Sequence, residues 1–383
     1  MSGLDDLAVV RDRLAGLGRE PTTRDVAQAM ADCGLVVTDA SLLATVSALR
    51  RESVGAGPLE SLLADPGVTD VLVNGPGQVW TDGPDGLRLS EVTFASDAEV
   101  RRLAQRLAAS VGRRLDDATP WVDARLADGT RVHAVLGVLG DVGTCLSLRV
   151  PPRRTYSMTD WIDAGSISAA GAEVLQQLVA AKVAFLVTGG TGSGKTTLLA
   201  SLLSLVPATE RLVVVEDSRE LRPDHPHCIR LEARPANAEG RGRVTLTDLV
   251  RQALRMRPDR LVVGEVRGAE LCDLLAAMNT GHEGGCGTIH ANSAADVPAR
   301  LEALAALGGM GRDAVHAQAA AALHAVIHLR RESRGVRRIS ELCVLTRDPT
   351  SGLVRVVPAL RFPVDRPIER GPGIAVLEGR LAT

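Results

Sequence analysis

The residues with the clearest chemical capacity form a glycine-rich run, GGTGSGKT, at positions 189–196. The run matches the GxxxxGK[ST] pattern of a phosphate-binding loop. It follows an apolar segment and precedes a helical one, which is the context that this motif requires. Glycines allow backbone N–H groups to surround phosphate oxygens, and the N-terminus of a helix adds partial positive charge. The run therefore predicts a nucleotide-binding loop.

A lysine and a threonine end this run and define its chemistry. Lys195 is one of two lysines in the chain, the other being Lys182, and all remaining basic residues are arginines. We predict that Lys195 contacts the β- and γ-phosphates and that Thr196 binds Mg²⁺. The residues predicted to bind the nucleotide are Gly189, Gly190, Thr191, Gly192, Ser193, Gly194, Lys195, Thr196 and Thr197.

Acidic residues end two other apolar runs, LVVVE at Glu216 and LVVGE at Glu265. In P-loop enzymes an acid at the end of such a strand lies beside the Mg²⁺ ion and the attacking water. Either acid could polarise water, and the sequence does not decide between them. We favour Glu265 as the general base and Glu216 as an acid of the metal site. The predicted metal-binding residues are Thr196, Glu216 and Glu265.

Histidines in a glycine-rich segment form a third group of candidates, His282 and His290. A histidine beside a nucleotide can donate a hydrogen bond to the γ-phosphate, and His290 is accordingly predicted to act in catalysis. Two ordinary loop histidines are the alternative interpretation. A metal site that adds His225, His227 and Cys228 is a second alternative, but its spacing matches no known ligand pattern.

The elements that must position these residues alternate between strand and helix from about residue 169 onward. Short apolar runs begin at Phe185, Leu212 and Leu261, and each ends in polar residues. Fully buried parallel strands with functional groups at their carboxyl ends have this pattern. We predict a parallel sheet with crossover helices over residues 169–383.

Two further regions precede this domain. Residues 1–55 have apolar side chains at helical spacing and predict a helical extension that ends at the GAGP break. Residues 56–150 contain short strand-like runs and one amphipathic helix, which predicts a smaller α/β domain. The Pro151–Pro152 pair opens a predicted linker over residues 151–168.

The composition argues against recognition of single-stranded nucleic acid by stacking. Only 3 Phe, 3 Trp and 1 Tyr occur among 383 residues, whereas such recognition needs aromatic side chains on which bases stack. The 44 basic and 46 acidic residues give a formal net charge of −2. This balance provides no global positive field for nucleic acid or an anionic membrane. We expect no direct contact with nucleic acid.

The cysteines and the N-terminal residues favour a cytoplasmic location. The six cysteines form no CxxC pair, which is typical of a reducing compartment. The first residues, MSGLDDLAVVRDRL, carry acids where a signal peptide needs bases. No stretch approaches the roughly 18 apolar residues of a membrane span. Any membrane role is therefore predicted to come through partners.

Four motifs together resemble the secretion-ATPase superfamily, which powers type II and type IV secretion and type IV pili. They are VED at 215–217, RMRPDRLVVGEVRG at 255–268, NTGHEG at 279–284 and TIHANS at 288–293. The run LEARPANAEGRG at 231–242 resembles more narrowly the tight-adherence (Tad/Flp) pilus ATPases and their actinobacterial conjugal-transfer relatives. The resemblance extends from about Pro58 to about residue 345. One departure is Gly285-Cys286-Gly287, which we expect to loosen that loop.

This resemblance implies a RecA-like P-loop motor that hydrolyses MgATP as a homohexamer docked on an inner-membrane platform protein. It implies that the N-terminal α/β domain covers the nucleotide and supplies Arg131 and Arg149 to the γ-phosphate, with Arg125 nearby. Arginine suits this role because its guanidinium is always charged and can bind phosphate through two hydrogen bonds. The predicted catalytic residues are Glu265, Glu216, Lys195, Arg131, Arg149 and His290.

Three other functions share the same core. A RecA-like nucleic-acid translocase is disfavoured by the scarcity of aromatic residues and the balanced charge. A scaffold that binds ATP without hydrolysing it is disfavoured by the acids at 216 and 265. The motor of a DNA conjugation apparatus stays open beside the motor of a Flp-type pilus.

Overall fold

The computed structural model describes residues 9–10, 13–14, 21–39, 41–43, 45–46, 55–83, 86–151, 154–236, 240–281, 283–332, 335–363 and 366–382. Contacts between Cα atoms divide the chain into two compact units, Met1–Arg153 and Arg154–Thr383. Within the described ranges no helix is long and apolar enough to cross a membrane.

The first unit contains an antiparallel sheet with one long helix on its inner face. Its strands are β1 (Asp70–Asn74), β2 (Val79–Asp82), β3 (Arg88–Leu89), β4 (Trp121–Arg125), β5 (Arg131–Val135) and β6 (Cys145–Arg149), and its helices are α1 (Thr23–Asp32), α2 (Glu60–Ala64) and α3 (Asp97–Ser110). The strands are arranged in the order β3-β2-β1-β6-β5-β4. Alternate residues of β1, β5 and β6, such as Leu146 and Leu148 of β6, are buried with Leu103 and Leu107 of α3. The predicted α/β character of this region is therefore present.

The predicted helical extension is described only in part. Helix α1 begins at a capping box, in which Asp25 N–H donates to Thr22 Oγ1 (3.3 Å) and Thr22 N–H donates to Asp25 Oδ2 (2.8 Å). Val26 and Met30 of α1 pack with Val10 in a small apolar cluster that is separate from the core of the sheet. Leu4 and Leu7, which belong to the predicted apolar stripe, lie outside the described residues.

The second unit contains the predicted sheet, extended by antiparallel strands at one edge. The strands are β7 (Phe185–Gly189), β8 (Leu212–Glu216), β9 (Cys228–Glu232), β10 (Arg260–Val266), β11 (Cys286–His290), β12 (Ala325–Arg331), β13 (Arg337–Arg347), β14 (Val354–Arg361) and β15 (Glu369–Arg370). Their order is β15-β14-β13-β12-β7-β11-β10-β8-β9. The six strands from β12 to β9 in this order are parallel, and β13, β14 and β15 are antiparallel to their neighbours.

Helices cover both faces of this sheet. They are α4 (Met158–Asp163), α5 (Ala169–Ala180), α6 (Lys195–Leu203), α7 (Leu246–Ala253), α8 (Glu270–Met278), α9 (Val297–Leu307), α10 (Arg312–Ala322) and α11 (Ile374–Leu381). Helices α5 and α6 contribute to one apolar core, and α7 to α10 contribute to the other. All residues of β7 and β8 are buried, as expected for central strands of a sheet covered on both sides.

The predicted linker 151–168 is shorter in the structure, because most of it folds with the second unit. The division between units falls after Arg153. Helix α4 follows a capping box at Ser157, and its Trp161 is buried in the core with Ile167. The Trp161 indole N–H donates to Ser201 Oγ (2.9 Å). Burial of these apolar side chains ties residues 158–168 to the core of the second unit.

Candidate nucleotide-binding site

The glycine-rich run connects the carboxyl end of β7 to the N-terminus of α6, where the sequence predicted it. Gly194 caps α6 with a φ of +95°, a left-handed conformation that favours glycine. At Gly189 a Cβ atom would lie 2.6 Å from the Leu329 carbonyl oxygen and 2.6 Å from Ser193 Oγ. A side chain at either glycine would therefore distort the loop whose N–H groups are predicted to bind phosphate.

Lys195 is folded over this loop and is 8% exposed. Its ammonium donates to the carbonyl oxygens of Gly189 (3.0 Å) and Gly190 (2.9 Å). Burial lowers the pKa of Lys195, and the charge of Arg267 lowers it further, while Glu265 opposes the shift. Loop carbonyls rather than a carboxylate hold the ammonium, so it stays a free cation for a phosphate group.

His290 lies at the end of β11, beside this ammonium. Its Nε2 atom is 3.3 Å from Lys195 Nζ and 3.5 Å from Thr191 Oγ1. Burial lowers the pKa of His290, and the charge of Lys195 adds to that effect. A neutral ring that accepts from the ammonium at Nε2 carries its proton on Nδ1. Strand β11 lies between β7 and β10 and is parallel to both. His290 therefore lies at the carboxyl ends of these strands, together with Lys195 and Glu265.

Glu216, at the end of β8, is 4% exposed. Its Oε1 atom accepts hydrogen bonds from the N–H groups of Glu220 (2.9 Å) and Leu221 (2.9 Å). Its Oε2 atom is buried and has no hydrogen-bond partner among the described residues. Burial raises the pKa of Glu216 to about 7, against the effect of the two backbone donors. A buried carboxylate oxygen without a donor is an atom that a hard cation or a proton would satisfy.

Glu265, near the end of β10, has a different partner. Arg267 donates to its Oε2 atom (2.5 Å). Although burial acts in the opposite direction, this hydrogen bond and the charges of Arg267, Lys195 and His290 keep the pKa of Glu265 below its usual value. Glu265 is therefore ionised at neutral pH. The Arg267–Glu265 pair is a feature that the sequence did not reveal, because both residues lie in one motif whose internal contacts depend on the turn.

The structure bears on the metal predictions in two ways. Among the described residues, no group of three or more His, Cys, Asp and Glu side chains is arranged to hold a metal ion. Magnesium is usually bound by one or two carboxylates together with substrate phosphates, so the predicted set of Thr196, Glu216 and Glu265 would need a nucleotide to complete the site.

The alternative histidine–cysteine metal site receives no support. His225 donates from Nε2 to the Pro207 carbonyl oxygen (3.1 Å). His227 Nε2 instead lies 3.1 Å from an Arg211 Nη1 atom. The two rings thus have separate partners. His282 lies outside the described residues.

The expected loosening at Gly285-Cys286-Gly287 is not what the structure contains. Cys286 begins β11 and pairs with Phe185 of β7 and Val262 of β10. The thiol is buried, and burial raises its pKa to about 12. Cys286 and Gly287 are therefore the first residues of a buried central strand and not part of a loop.

Arg131 and Arg149 lie in the first unit, on neighbouring strands. They are directly opposite each other across β5 and β6, and Arg125 of β4 is directly opposite Arg131. Cross-strand partners have side chains on the same face, so the three arginines form a row at one end of the sheet. Arg149 Nε donates to Asp70 Oδ1 (2.9 Å) in the adjacent strand β1.

Sequence reasoning missed a hairpin that borders the phosphate loop in the second unit. Arg337, the first residue of β13, donates from Nε to the Gly192 carbonyl oxygen (3.2 Å). Behind the loop, the buried Thr188 hydroxyl and the His328 Nδ1 atom are 2.8 Å apart. The signal available in the sequence was the dense arginine run at positions 330–338.

A parallel sheet that holds a glycine-rich loop, a lysine and strand-end acids defines a P-loop nucleotide-binding domain. The family model for "Type II/IV secretion system protein" matches residues 52–347. The chain therefore belongs to this family, and the resemblance to the secretion-ATPase superfamily is confirmed.

A relative and two solved structures illustrate the likeness. A Mycobacterium tuberculosis (strain H37Rv) protein named for conjugal transfer is 55% identical over 313 residues, which are 80% of this chain and 89% of the relative. The Legionella pneumophila ATPase DotB is 19% identical with a TM-score of 0.54, covering 76% of this chain and 80% of DotB. The pilus retraction motor PilT with bound ADP is 20% identical with a TM-score of 0.53, covering 85% of this chain and 86% of PilT.

These likenesses give the fold. The chain has a RecA-like P-loop motor domain and a smaller N-terminal α/β domain, as the sequence predicted. The family match begins at residue 52, so nearly all of the predicted helical extension precedes it.

Proposed function

We propose that the chain is a cytoplasmic ATPase motor that hydrolyses MgATP to power assembly of a Flp-type or related type IV pilus, or a related type II/IV secretion machine. One observation carries the hydrolytic part. The ammonium of Lys195, the ring of His290 and the ionised Glu265 meet at the carboxyl ends of β7, β11 and β10. Lys195 is a cation that can bind phosphate, His290 is a ring that can form a hydrogen bond, and Glu265 is a proton acceptor.

Each group has a separate role in this proposal. Lys195 turns from the loop carbonyls to the β- and γ-phosphates, where it offsets negative charge. Glu265 accepts a proton from the attacking water once its oxygen is released from Arg267. Thr196 and Glu216 Oε2 would hold Mg²⁺, and that ion supplies charge neutralisation at the phosphates.

The first unit has a proposed part in catalysis as well. In the transition state, negative charge spreads over the γ-phosphoryl oxygens, and cations opposite Lys195 would stabilise it. The row that includes Arg131 and Arg149 is the proposed source of these cations. Arg131→Ala and Arg149→Ala should each reduce kcat strongly, by about 10³-fold or less because the charge is shared, with a smaller loss of nucleotide affinity.

The cellular process rests on two lines of support. The run at 231–242 resembles Flp-type pilus ATPases together with their actinobacterial conjugal-transfer relatives, and a relative that is 55% identical is named for conjugal transfer. We place the pilus first and the DNA conjugation motor second. In either role, the proposed assembly is a homohexamer on the cytoplasmic face of the membrane, docked on an inner-membrane platform protein, without direct contact with nucleic acid.

The decisive experiment combines hydrolysis with complementation. The purified full chain should release phosphate from ATP in the presence of Mg²⁺, and Lys195→Ala should not. A host strain lacking the gene should regain surface pili with the wild-type gene and not with Lys195→Ala. Restoration of DNA transfer without pili would favour the conjugation motor. Turnover by Lys195→Ala at the wild-type rate, or stimulation of turnover by DNA, would contradict the proposal.

A further inference from the structure

The hairpin between β12 and β13 brings two arginines beside the phosphate loop. Arg337 Nε donates to the Gly192 carbonyl oxygen (3.2 Å). A Cβ atom on Gly194 would lie 3.2 Å from Arg337 Cδ, and one on Gly192 would lie 3.5 Å from Arg331 Nη1. A methyl group added at Gly194 would therefore meet the Arg337 side chain, and one added at Gly192 would meet Arg331.

These two arginines differ from the adjacent Arg338 in how their charge is balanced. Arg338 forms an ion pair with Glu332 (2.7 Å) and donates to the Gly165 carbonyl oxygen (2.6 Å). Arg331 and Arg337 are exposed, and neither forms an ion pair with a carboxylate among the described residues. Two uncompensated positive charges thus lie beside the loop.

Other positive charge converges on the same place. The N-terminus of α6 carries a partial positive charge, and Lys195 adds an ammonium whose hydrogen-bond partners are two loop carbonyls and the neutral ring of His290. Four positive groups around one short loop repel one another unless an anion is bound. Guanidinium groups bind phosphate through paired hydrogen bonds, so a polyphosphate is the ligand class that this arrangement fits.

We propose that Arg337 and Arg331 bind the diphosphate portion of the nucleotide, as a cationic pair supplied by the motor domain itself. Arg337 also supports the loop through the Gly192 carbonyl oxygen. This inference rests on the proposed nucleotide-binding function and adds two binding residues to it. Since ADP and ATP share the diphosphate, both should depend on the pair.

The test measures the binding of MgADP and of a non-hydrolysable MgATP analogue to the full chain by calorimetry. Arg337→Ala should raise both Kd values by about tenfold, and Arg331→Ala by about threefold, as expected for loss of charge-assisted hydrogen bonds. In steady-state hydrolysis, Arg337→Ala should raise KM for ATP by a larger factor than it lowers kcat.

A matched control lies on the same strand. Arg347, at the far end of β13, is also exposed and also donates from Nε to a glycine carbonyl oxygen, that of Gly352 (2.9 Å). The strand has 11 residues, so this site is about 33 Å from Arg337. Arg347→Ala should leave both Kd values unchanged.

Arg337→Gln separates charge from loop support, because its amide can still donate to Gly192. Weak binding by this variant, together with a wild-type melting temperature, supports a charge contact with phosphate. Wild-type affinity in Arg337→Gln, or in both alanine variants, would overturn the inference while leaving the proposed function intact. A wild-type chain that bound neither nucleotide would overturn the proposed function, and this inference with it.

Discussion

Strands β8 and β10 each carry one acid of the site near their carboxyl ends, and the residues that follow each strand balance the charge of its acid in opposite ways. After β8, backbone N–H groups bind one oxygen of a buried Glu216, and burial raises its pKa to about 7. After β10, the Arg267 guanidinium binds Glu265 and keeps it ionised. A carboxylate that exchanges protons near neutrality and one held as an anion suit different tasks, although the strand endings VVVE and VVGE look alike.

The largest effect should come from neutralising Glu265, the acid of β10. Glu265→Gln should bind MgATP but lower kcat by about 10³-fold, because an amide cannot accept a proton from water. Rapid-quench measurement of one turnover, with nucleotide binding measured in parallel, checks this. If Glu216→Gln binds MgATP without hydrolysing it and Glu265→Gln does not behave in this way, then Glu216 is the general base and Glu265 is the acid of the metal site.

Glu216, the acid of β8, should instead affect the stability of the fold in a pH-dependent way. The unfolded Glu216 carboxyl ionises near its ordinary value of 4.5 and the folded one near 7. The folded state therefore binds more protons between these values, and the free energy of unfolding decreases as pH rises through this window. Above it, Glu216→Gln should be more stable than the wild type by up to about 3 kcal/mol.

Chemical denaturation without Mg²⁺ or nucleotide checks this, at pH 5 and at pH 8. The two proteins should have nearly equal stability at the lower pH. A stability difference that did not change with pH would contradict the raised pKa of the buried Glu216.

A smaller effect should come from the glycine that packs under Glu216. A Cβ atom on Gly264 would lie 2.5 Å from Glu216 Cγ, which is close to the backbone end of that side chain. Gly264→Ala should destabilise the fold by about 1–3 kcal/mol. The matched control is Gly268→Ala, four residues further along in the turn after β10, where the Cβ would lie 3.0 Å from the tip of the Glu270 side chain. Equal thermal stability of the two variants would contradict this difference.

The smallest effect concerns the charge of Glu265. Arg267→Gln removes the main group that lowers its pKa, so the acid limb of the profile of kcat/KM against pH should move to higher pH. Arg219→Gln is the control. Arg219 follows β8, and its guanidinium pairs with Glu232 of β9 (2.9 Å) and not with Glu265. An acid limb that stayed in place would mean that Glu265 is not the titrating base.

The sequence predicted the parts of this site that are encoded locally. The loop at 189–196, the buried strands and the acids at their ends follow from the order of glycines and apolar residues. The partners of those acids could not be predicted, because they depend on turn geometry. Leu221 and Glu220 act through backbone N–H groups that carry no sequence signal.

Contacts between distant segments were also beyond the sequence. Arg337 reaches Gly192 only because β12 and β13 extend the sheet beside β7. Trp161 falls inside the linker that the Pro151–Pro152 pair predicts over residues 151–168. Its indole is buried against α6, where its hydrogen-bond partner Ser201 lies 40 residues further along the chain.

The position of that tryptophan gives the motor domain a built-in optical reporter. Trp80 and Trp121 lie in the first unit, so Trp161 is the only indole fluorophore of the second. Its ring comes within 3.2 Å of where a Gly194 Cβ would be. Replacing the other two tryptophans with phenylalanine would leave an emission signal that follows rearrangement of the phosphate loop in real time, without an attached dye.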